Sequence, residues 1–192
     1  RSVVAPSYTK TNAPYTDENS SNDYKDDYMR LLQHSLYFYD ANMCGTDVAA
    51  NSALAWRTNC HTEDEILGGY HDAGDHVMFG LPQGYTASML SWMYLEFFKG
   101  NVTDSDGNIK NNDTYMMNHY EDDHFKVILD RFYDFFVNSV EYGDDGKIKK
   151  LLLQKGQGNI DHLIWCAPEI QKNRENEMIW SETQGSNIAA EY

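Results

Sequence analysis

Apolar side chains recur with a helical period in three stretches of the chain, and polar segments separate these stretches. Along 24–39 the apolar positions share one helical face: Tyr24, Tyr28, Leu31, Leu32, Leu36 and Tyr39. The stretch 122–140 has a similar face, made mostly of phenylalanine: Phe125, Ile128, Phe132, Phe135 and Phe136. Residues 86–98 are apolar nearly all round, which predicts a helix that is buried on most sides.

The remaining segments carry weaker signals. Residues 1–22 are rich in Ser, Thr, Asn, Asp and Pro, which predicts an extended arm or linker. Residues 148–154 are compatible with a short strand, and 186–192 begins like one more helix. The sequence shows no alternation of strands with crossover helices, no glycine-rich phosphate loop and no nucleophile-elbow serine. The pattern is one of helices joined by long loops.

The segment 41–84 is the longest of these loops. It has little periodicity, and it holds six glycines, two of the three cysteines and three of the seven histidines. A loop of this length inside a compact domain is usually functional. Its most unusual part is GGYHDAGDHVMFGLP at 68–82, where Asp72 and Asp75 flank an Ala-Gly pair and His71 and His76 stand outside them. No role is predicted for His76.

The two aspartates suit acid–base chemistry. Two carboxylates on a tight turn can hold one water, since one accepts its proton while the other orients it. That is the basic half of an inverting glycoside hydrolysis, which also needs a carboxylic acid about 6.5–9.5 Å away. The same two residues, Asp72 and Asp75, would equally suit an Asx-turn that caps backbone N–H groups, or a calcium site. The residues alone leave these alternatives open.

A second group of residues has the composition of a zinc site. Two thiols and two imidazoles lie close to the acidic turn, and together they make a complete tetrahedral donor set: Cys44, Cys60, His61 and His71. The adjacent Cys60 and His61 would have to splay apart to reach one ion. The alternatives are a Cys44–Cys60 disulfide, or free thiols with solvated histidines. The metal is favoured because the histidines also need a role, and it would be structural, anchoring the turn through His71.

Composition narrows the class of substrate. The net charge is −15, from 15 basic and 30 acidic residues. A field of this sign repels phosphate backbones and anionic membrane surfaces, so neither nucleic acid nor a membrane is an expected partner. Aromatic residues make up 14% of the chain, and flat rings can stack on sugars as well as fill a core.

The stretch GGYHDAGDHVMFGLPQGYTASMLSW at 68–92 closely resembles the signature of family 9 glycoside hydrolases, the inverting endoglucanases and related cellulases. The segments SLYFYDANMCG, LAWRTNCH, DHLIWCAPE and QGSNIAAE resemble further family segments in the same order. The resemblance covers about residues 24–192. It implies an all-α fold, an (α/α)6 barrel with an open cleft. Residues 23–192 would form the N-terminal portion of its catalytic domain, which is more than twice as long.

Roles follow from the resemblance position by position. Asp75 matches the catalytic base and Asp72 the residue that helps to hold the water. His162 and Trp165 match positions that line the glucan cleft. The zinc ligands of some family members match Cys44, Cys60, His61 and His71. The family's general acid is a glutamate far downstream, and no residue here, Glu191 included, is assigned to it.

Three positions depart from the family pattern, namely Met78, Gln184 and Asn187. The resemblance implies a secreted endo-β-1,4-glucanase, which would be free, attached to the cell surface or part of a cellulosome. Its partners would be cellulose or a related β-glucan and the remaining C-terminal part of the domain. Two alternatives stay open: a catalytically incomplete glucan-binding fragment, which could pair with a second chain, and a structural module organised by zinc.

Overall fold

The structure is a computed structural model that describes residues 23–96, 101–103, 106, 109–111, 122–171, 177–181 and 186–192. Its helices are α1 (Asp23–Asn42), α2 (Val48–Asn51), α3 (Gly80–Tyr94), α4 (Asp122–Asn138), α5 (Gly158–Asp161) and α6 (Ser186–Glu191), with a 3-10 turn at Pro168–Ile170. Its strands are β1 (Met78–Phe79), β2 (Asn101–Thr103), β3 (Ile109–Asn111), β4 (Val140–Tyr142), β5 (Ile148–Lys155) and β6 (Met178–Trp180). The predicted arm at 1–22 lies outside these residues. None of the described helices combines the length and the apolar character that a membrane crossing requires.

The core forms around α4, as the phenylalanine period predicts. All five residues of the predicted face are buried: Phe125, Ile128, Phe132, Phe135 and Phe136. Leu36 of α1 and Leu152 of β5 complete the same hydrophobic cluster. Aromatic rings account for much of this contact, and Tyr70 packs with its centroid 4.3 Å from that of Phe132.

The burial expected for two helices is found only in part. The helix predicted at 24–39 is confirmed as α1, and Leu36 of its apolar face is buried, but Leu31 of the same face is 59% exposed. Helix α3 begins at Gly80 rather than at residue 86, and only one side of it is covered. Its other side exposes Tyr85 and Trp92 among other apolar residues. A helix that is apolar all round does not indicate which side its neighbours cover, and here α4 and α6 pack on one side of it.

A small antiparallel sheet accompanies the helices. The predicted strand at 148–154 is confirmed as β5, which pairs with β1, β4 and β6. The strands β2 and β3 form a separate pair. The described residues therefore combine helices with a small sheet, where an all-α fold with one short strand was expected, because loop segments beside the site pair with β5.

A buried ion pair holds the long loop against this sheet. The ammonium of Lys155, on β5, lies 2.8 Å from a carboxylate oxygen of Asp64, and both side chains are fully buried. The same ammonium donates to the carbonyl of Ile66 at 2.8 Å. Each charge has a partner, which a buried charge requires. The segment that leads into Gly68 and Gly69 is thereby fixed.

The two glycines provide a matched test of packing at this point. Both have positive φ, +86° at Gly68 and +79° at Gly69, so alanine at either position carries a backbone cost of about 1–2 kcal/mol. A Cβ on Gly69 would lie 2.9 Å from a ring carbon of Phe135, whereas one on Gly68 would meet nothing within 4 Å. We expect Gly69→Ala to lower the free energy of unfolding by about 1–3 kcal/mol more than Gly68→Ala. Denaturant titration of the two variants measures the difference, and equal values would contradict this packing.

Candidate active site and metal centre

Three separate segments of the chain meet at the candidate metal centre. Isolated antiparallel bridges join Met43 to Tyr70 and Gly45 to Cys60. The backbone N–H of Cys44 donates to the carbonyl of Gly69 at 3.1 Å. These backbone contacts bring the end of α1, the middle of the long loop and the beginning of the acidic turn together.

The four predicted ligands form one cluster at this junction. One donor atom from each of them lies within 4.8 Å of all the others: Cys44, Cys60, His61 and His71. The Cys44 sulfur is 3.5 Å from Nδ1 of His61, and that nitrogen is 3.3 Å from Nε2 of His71. The backbone of His61 has φ +49°, and this left-handed conformation is uncommon for a residue with a side chain. This conformation turns the side chains of the adjacent Cys60 and His61 apart, so that both can enter the same cluster.

The spacing of these donors fits a tetrahedral cation. With usual Zn–S and Zn–N bond lengths, a sulfur and a nitrogen of one zinc site lie about 3.5 Å apart, and two nitrogens about 3.3 Å apart. Two thiols and two imidazoles also form a complete ligand set for structural zinc. Among the described residues, this is the one cluster of at least three Cys, His, Asp or Glu side chains whose donor atoms lie close enough together to hold an ion.

The two thiols of the cluster differ in how easily they ionise. Both cysteines are free, so the alternative of a Cys44–Cys60 disulfide is not present. A hydrogen bond from the Cys44 thiol lowers the pKa of Cys60 to about 7, although burial opposes it. Burial raises the pKa of Cys44 well above its usual range. The guanidinium of Arg57 lies 3.5 Å from the Cys60 sulfur. One of the two sulfurs is therefore easily ionised, and thiolate is the form that binds metals.

The acidic turn lies next to this cluster along the chain. The backbone N–H of Asp72 donates to the carbonyl of Val77 at 3.1 Å, which closes the turn. Asp72 is exposed and Asp75 half-buried, and partial burial raises the pKa of Asp72. The strand β1 follows the turn directly and pairs with β5. The two carboxylates are thus held on a loop that is anchored at both ends and open to solvent.

Both predicted cleft residues lie beside this turn. Nδ1 of His162 is 3.2 Å from each carboxylate oxygen of Asp75. Trp165 lies against Gly74, because a Cβ built there would be 3.5 Å from its ring. The indole is 78% exposed, and its centroid is 6.3 Å from that of His162. An exposed flat apolar ring next to a carboxylate pair provides a surface for a sugar ring within reach of an acid–base group.

The metal cluster and the acidic turn are also connected by residues for which the sequence predicted no role. His76, which had no predicted role, lies with its Nδ1 2.7 Å from Oε1 of Gln171. The same oxygen is 2.9 Å from Nε2 of His61. Nearby, Arg57 pairs with Glu169 at 2.6 Å. Glu169 and Asp161 lie inside the quoted segment DHLIWCAPE, but no pattern in the sequence singles out Gln171.

Comparison with known proteins identifies the family. The profile of glycosyl hydrolase family 9 matches residues 28–192. Endoglucanase 6 of Arabidopsis thaliana is 29% identical over 178 residues, which are 86% of this chain and 24% of that protein. Endoglucanase B of Cellulomonas fimi is 30% identical over 85% of this chain and 14% of its own length. The chain therefore spans about a quarter or less of these relatives.

Solved structures agree with the sequence comparison. The cellulase Cel9M of C. cellulolyticum superposes with a TM-score of 0.67 at 36% identity, over 86% of this chain and 36% of that one. The catalytic domain of Clostridium thermocellum CelT gives the same TM-score at 32% identity, over 85% and 37%. The profile match, the relatives and the shared fold lead to one conclusion: this chain belongs to glycosyl hydrolase family 9.

Proposed function

We propose that the chain carries the base side of the active site of an inverting endo-β-1,4-glucanase. The observation that carries the proposal is the solvent-open acidic turn, with the exposed ring of Trp165 against it and His162 paired to Asp75. The names of the relatives support it, since they are endoglucanases of plants and bacteria. So does a structure of the endoglucanase CelQ in complex with cellotetraose, at 28% identity and a TM-score of 0.65.

In this proposal Asp75 is the general base and Asp72 holds the water. Asp75 takes a proton from a water molecule while that water attacks the anomeric carbon, and the bond to the leaving sugar breaks. His162 directs Nδ1 at both oxygens of Asp75 and so limits the rotation of the carboxylate. Trp165 supports the sugar. The general acid, which protonates the leaving oxygen, would be a carboxylic acid outside this chain.

We further propose that the Cys44, Cys60, His61 and His71 cluster holds a structural zinc ion. Four protein ligands would leave no open position for substrate, as in other structural sites. When bound, the ion would fix the three segments that meet there and leave the chemistry to the carboxylates. His71 directly precedes Asp72, so the zinc ion would hold the chain immediately before the acidic turn. Calcium is not proposed for this cluster, because its ligands are oxygen atoms; the calcium alternative belongs to the carboxylates of Asp72 and Asp75.

The proposal extends to the setting of the enzyme. The match spans 36–37% of the solved catalytic chains, which supports the interpretation that 23–192 contribute the N-terminal portion of a larger domain. Its cleft would be completed by the rest of that domain. The polymeric substrate, cellulose or a related β-glucan, would be met outside the cell, so we propose secretion.

The stereochemistry of the product tests this function. The complete enzyme is expected to release α-anomers from a soluble β-1,4-glucan, because water attacks the face opposite the leaving sugar. Proton NMR during the first minutes of hydrolysis distinguishes the anomers before they equilibrate. An initial β-anomer would contradict the proposed mechanism. Binding of the glucan without hydrolysis would support the alternative of a catalytically incomplete glucan-binding fragment.

A further inference from the structure

The side chain of Gln171 lies between the metal cluster and the acidic turn. Its Oε1 is 2.9 Å from Nε2 of His61 and 2.7 Å from Nδ1 of His76. Its Nε2 is 3.0 Å from Oδ1 of Asp161. One amide thus contacts a proposed zinc ligand, the neighbour of the proposed base and the neighbour of the cleft residue His162.

The direction of these hydrogen bonds can be fixed by chemistry. Oδ1 of Asp161 accepts the backbone N–H of His76 at 3.1 Å, and a backbone N–H can only donate. The group of Gln171 that faces this carboxylate oxygen is its NH2, which donates to it. The amide oxygen then faces the two imidazoles, and each of those ring nitrogens must carry a proton.

This orientation determines the tautomer of His61. A neutral imidazole has one protonated nitrogen and one with a free lone pair. With the proton on Nε2, the lone pair is on Nδ1. That nitrogen lies 3.5 Å from the Cys44 sulfur and 3.3 Å from Nε2 of His71. The tautomer set by Gln171 is the one that presents a donor atom to the cluster.

The same amide oxygen ties the cluster to the acidic turn. It accepts from His76, the residue after Asp75, and the backbone of His76 is held in turn by Asp161, the residue before His162. Since His76 and Asp161 are both buried, these bonds are shielded from water and are correspondingly costly to lose.

We propose that Gln171 is a positioning residue that selects the metal-binding tautomer of His61 and couples the metal cluster to the turn carrying Asp75. The proposal rests on the proposed zinc site, and it adds a residue outside the four ligands. Hydrogen-bond partners of metal-binding histidines typically change metal affinity or activity about 10–100-fold when replaced. No such effect is expected from a glutamine that only fills space.

The test compares Gln171→Met with Gln154→Met, which replaces another half-buried glutamine, one whose amide donates to Gly156. Zinc affinity is measured by competition with a chromophoric chelator. Gln171→Met is expected to weaken zinc binding about 10–100-fold, and Gln154→Met to leave it unchanged. Equal affinity of Gln171→Met and the unmodified protein would overturn the proposal.

A second measurement separates this inference from the zinc proposal. In metal-free protein, nitrogen-15 NMR of the histidine rings is expected to show His61 protonated on Nε2, and to show a mixture of tautomers in Gln171→Met. This outcome does not require zinc, so unmodified protein that binds no zinc would refute the metal site alone. A His61 tautomer that is the same in both proteins would overturn the role of Gln171. Amide exchange at His76 that is faster in Gln171→Met would support the coupling, and unchanged exchange would contradict it.

Discussion

The substitution Asp75→Asn in the complete enzyme is expected to lower kcat on a soluble β-1,4-glucan about 10²–10⁴-fold, the usual contribution of a general base. The amide keeps the size of the carboxylate and can still accept from His162, which lies 3.2 Å away. It cannot take a proton from water. Because Trp165 and the rest of the turn remain, KM is expected to change little. A loss confined to kcat indicates an interaction that is made only in the transition state.

The control for this variant is Asp144→Asn, an exposed aspartate in the turn between β4 and β5, which is expected to retain full activity. The kcat of Asp72→Asn is expected to lie between those of Asp75→Asn and Asp144→Asn, because this substitution would affect the position of the water without removing the base. Thermal unfolding of each variant checks that the fold is kept. Full activity of Asp75→Asn, with normal folding, would refute the assignment of Asp75 as the base.

Sequence periodicity predicted the parts of the fold that depend on local contacts. The phenylalanine face of α4 is buried as expected, because a helix with one strongly apolar side has one stable way to pack. The covered side of α3 could not be predicted in this way, since the helix buries Gln83 and Ala87 and leaves the larger apolar rings of Tyr85 and Trp92 exposed. Sheet pairing with β5 also depends on contacts between distant segments, such as Met78 with Lys155.

The site was predictable to the extent that its residue types are chemically distinctive. Thiols and imidazoles are rare and specific, so Cys44 and His71 could be grouped before their positions were known. The resemblance to a family was needed to expect Asp75 and His162 in one cleft, and the contact between them, 87 positions apart in the chain, was not predicted. Gln171 could not be predicted at all, because a glutamine has no characteristic spacing and its role depends on through-space contacts with His61 and Asp161.

Removal of zinc is expected to destabilise the protein strongly. A ligand that binds only the folded state at about 1,000 times its Kd stabilises that state by about 4 kcal/mol. For a chain of this size that amounts to roughly 8–16 °C in Tm. Cys44 and Cys60 are both buried in the hydrophobic core, so loss of the ion would remove the bonds that hold two thiols and two imidazoles together at the junction of three segments. A strong chelator is therefore expected to lower Tm by roughly that amount.

The identity of the ion and of its ligands can be tested together with this effect. Stoichiometric zinc is expected to restore Tm after chelation and calcium is not, since the donors are sulfur and nitrogen. Cys60→Ser is expected to reproduce the chelated state, whereas Cys166→Ser is expected to retain the metal and the original Tm, because Cys166 lies outside the ligand cluster. Elemental analysis of each purified variant gives the zinc content.

Unmodified protein without zinc, or a Tm that chelation does not change, would contradict the metal centre. It would leave the Asp75 prediction standing, because the carboxylates would carry the chemistry and the ion would only hold the turn in place.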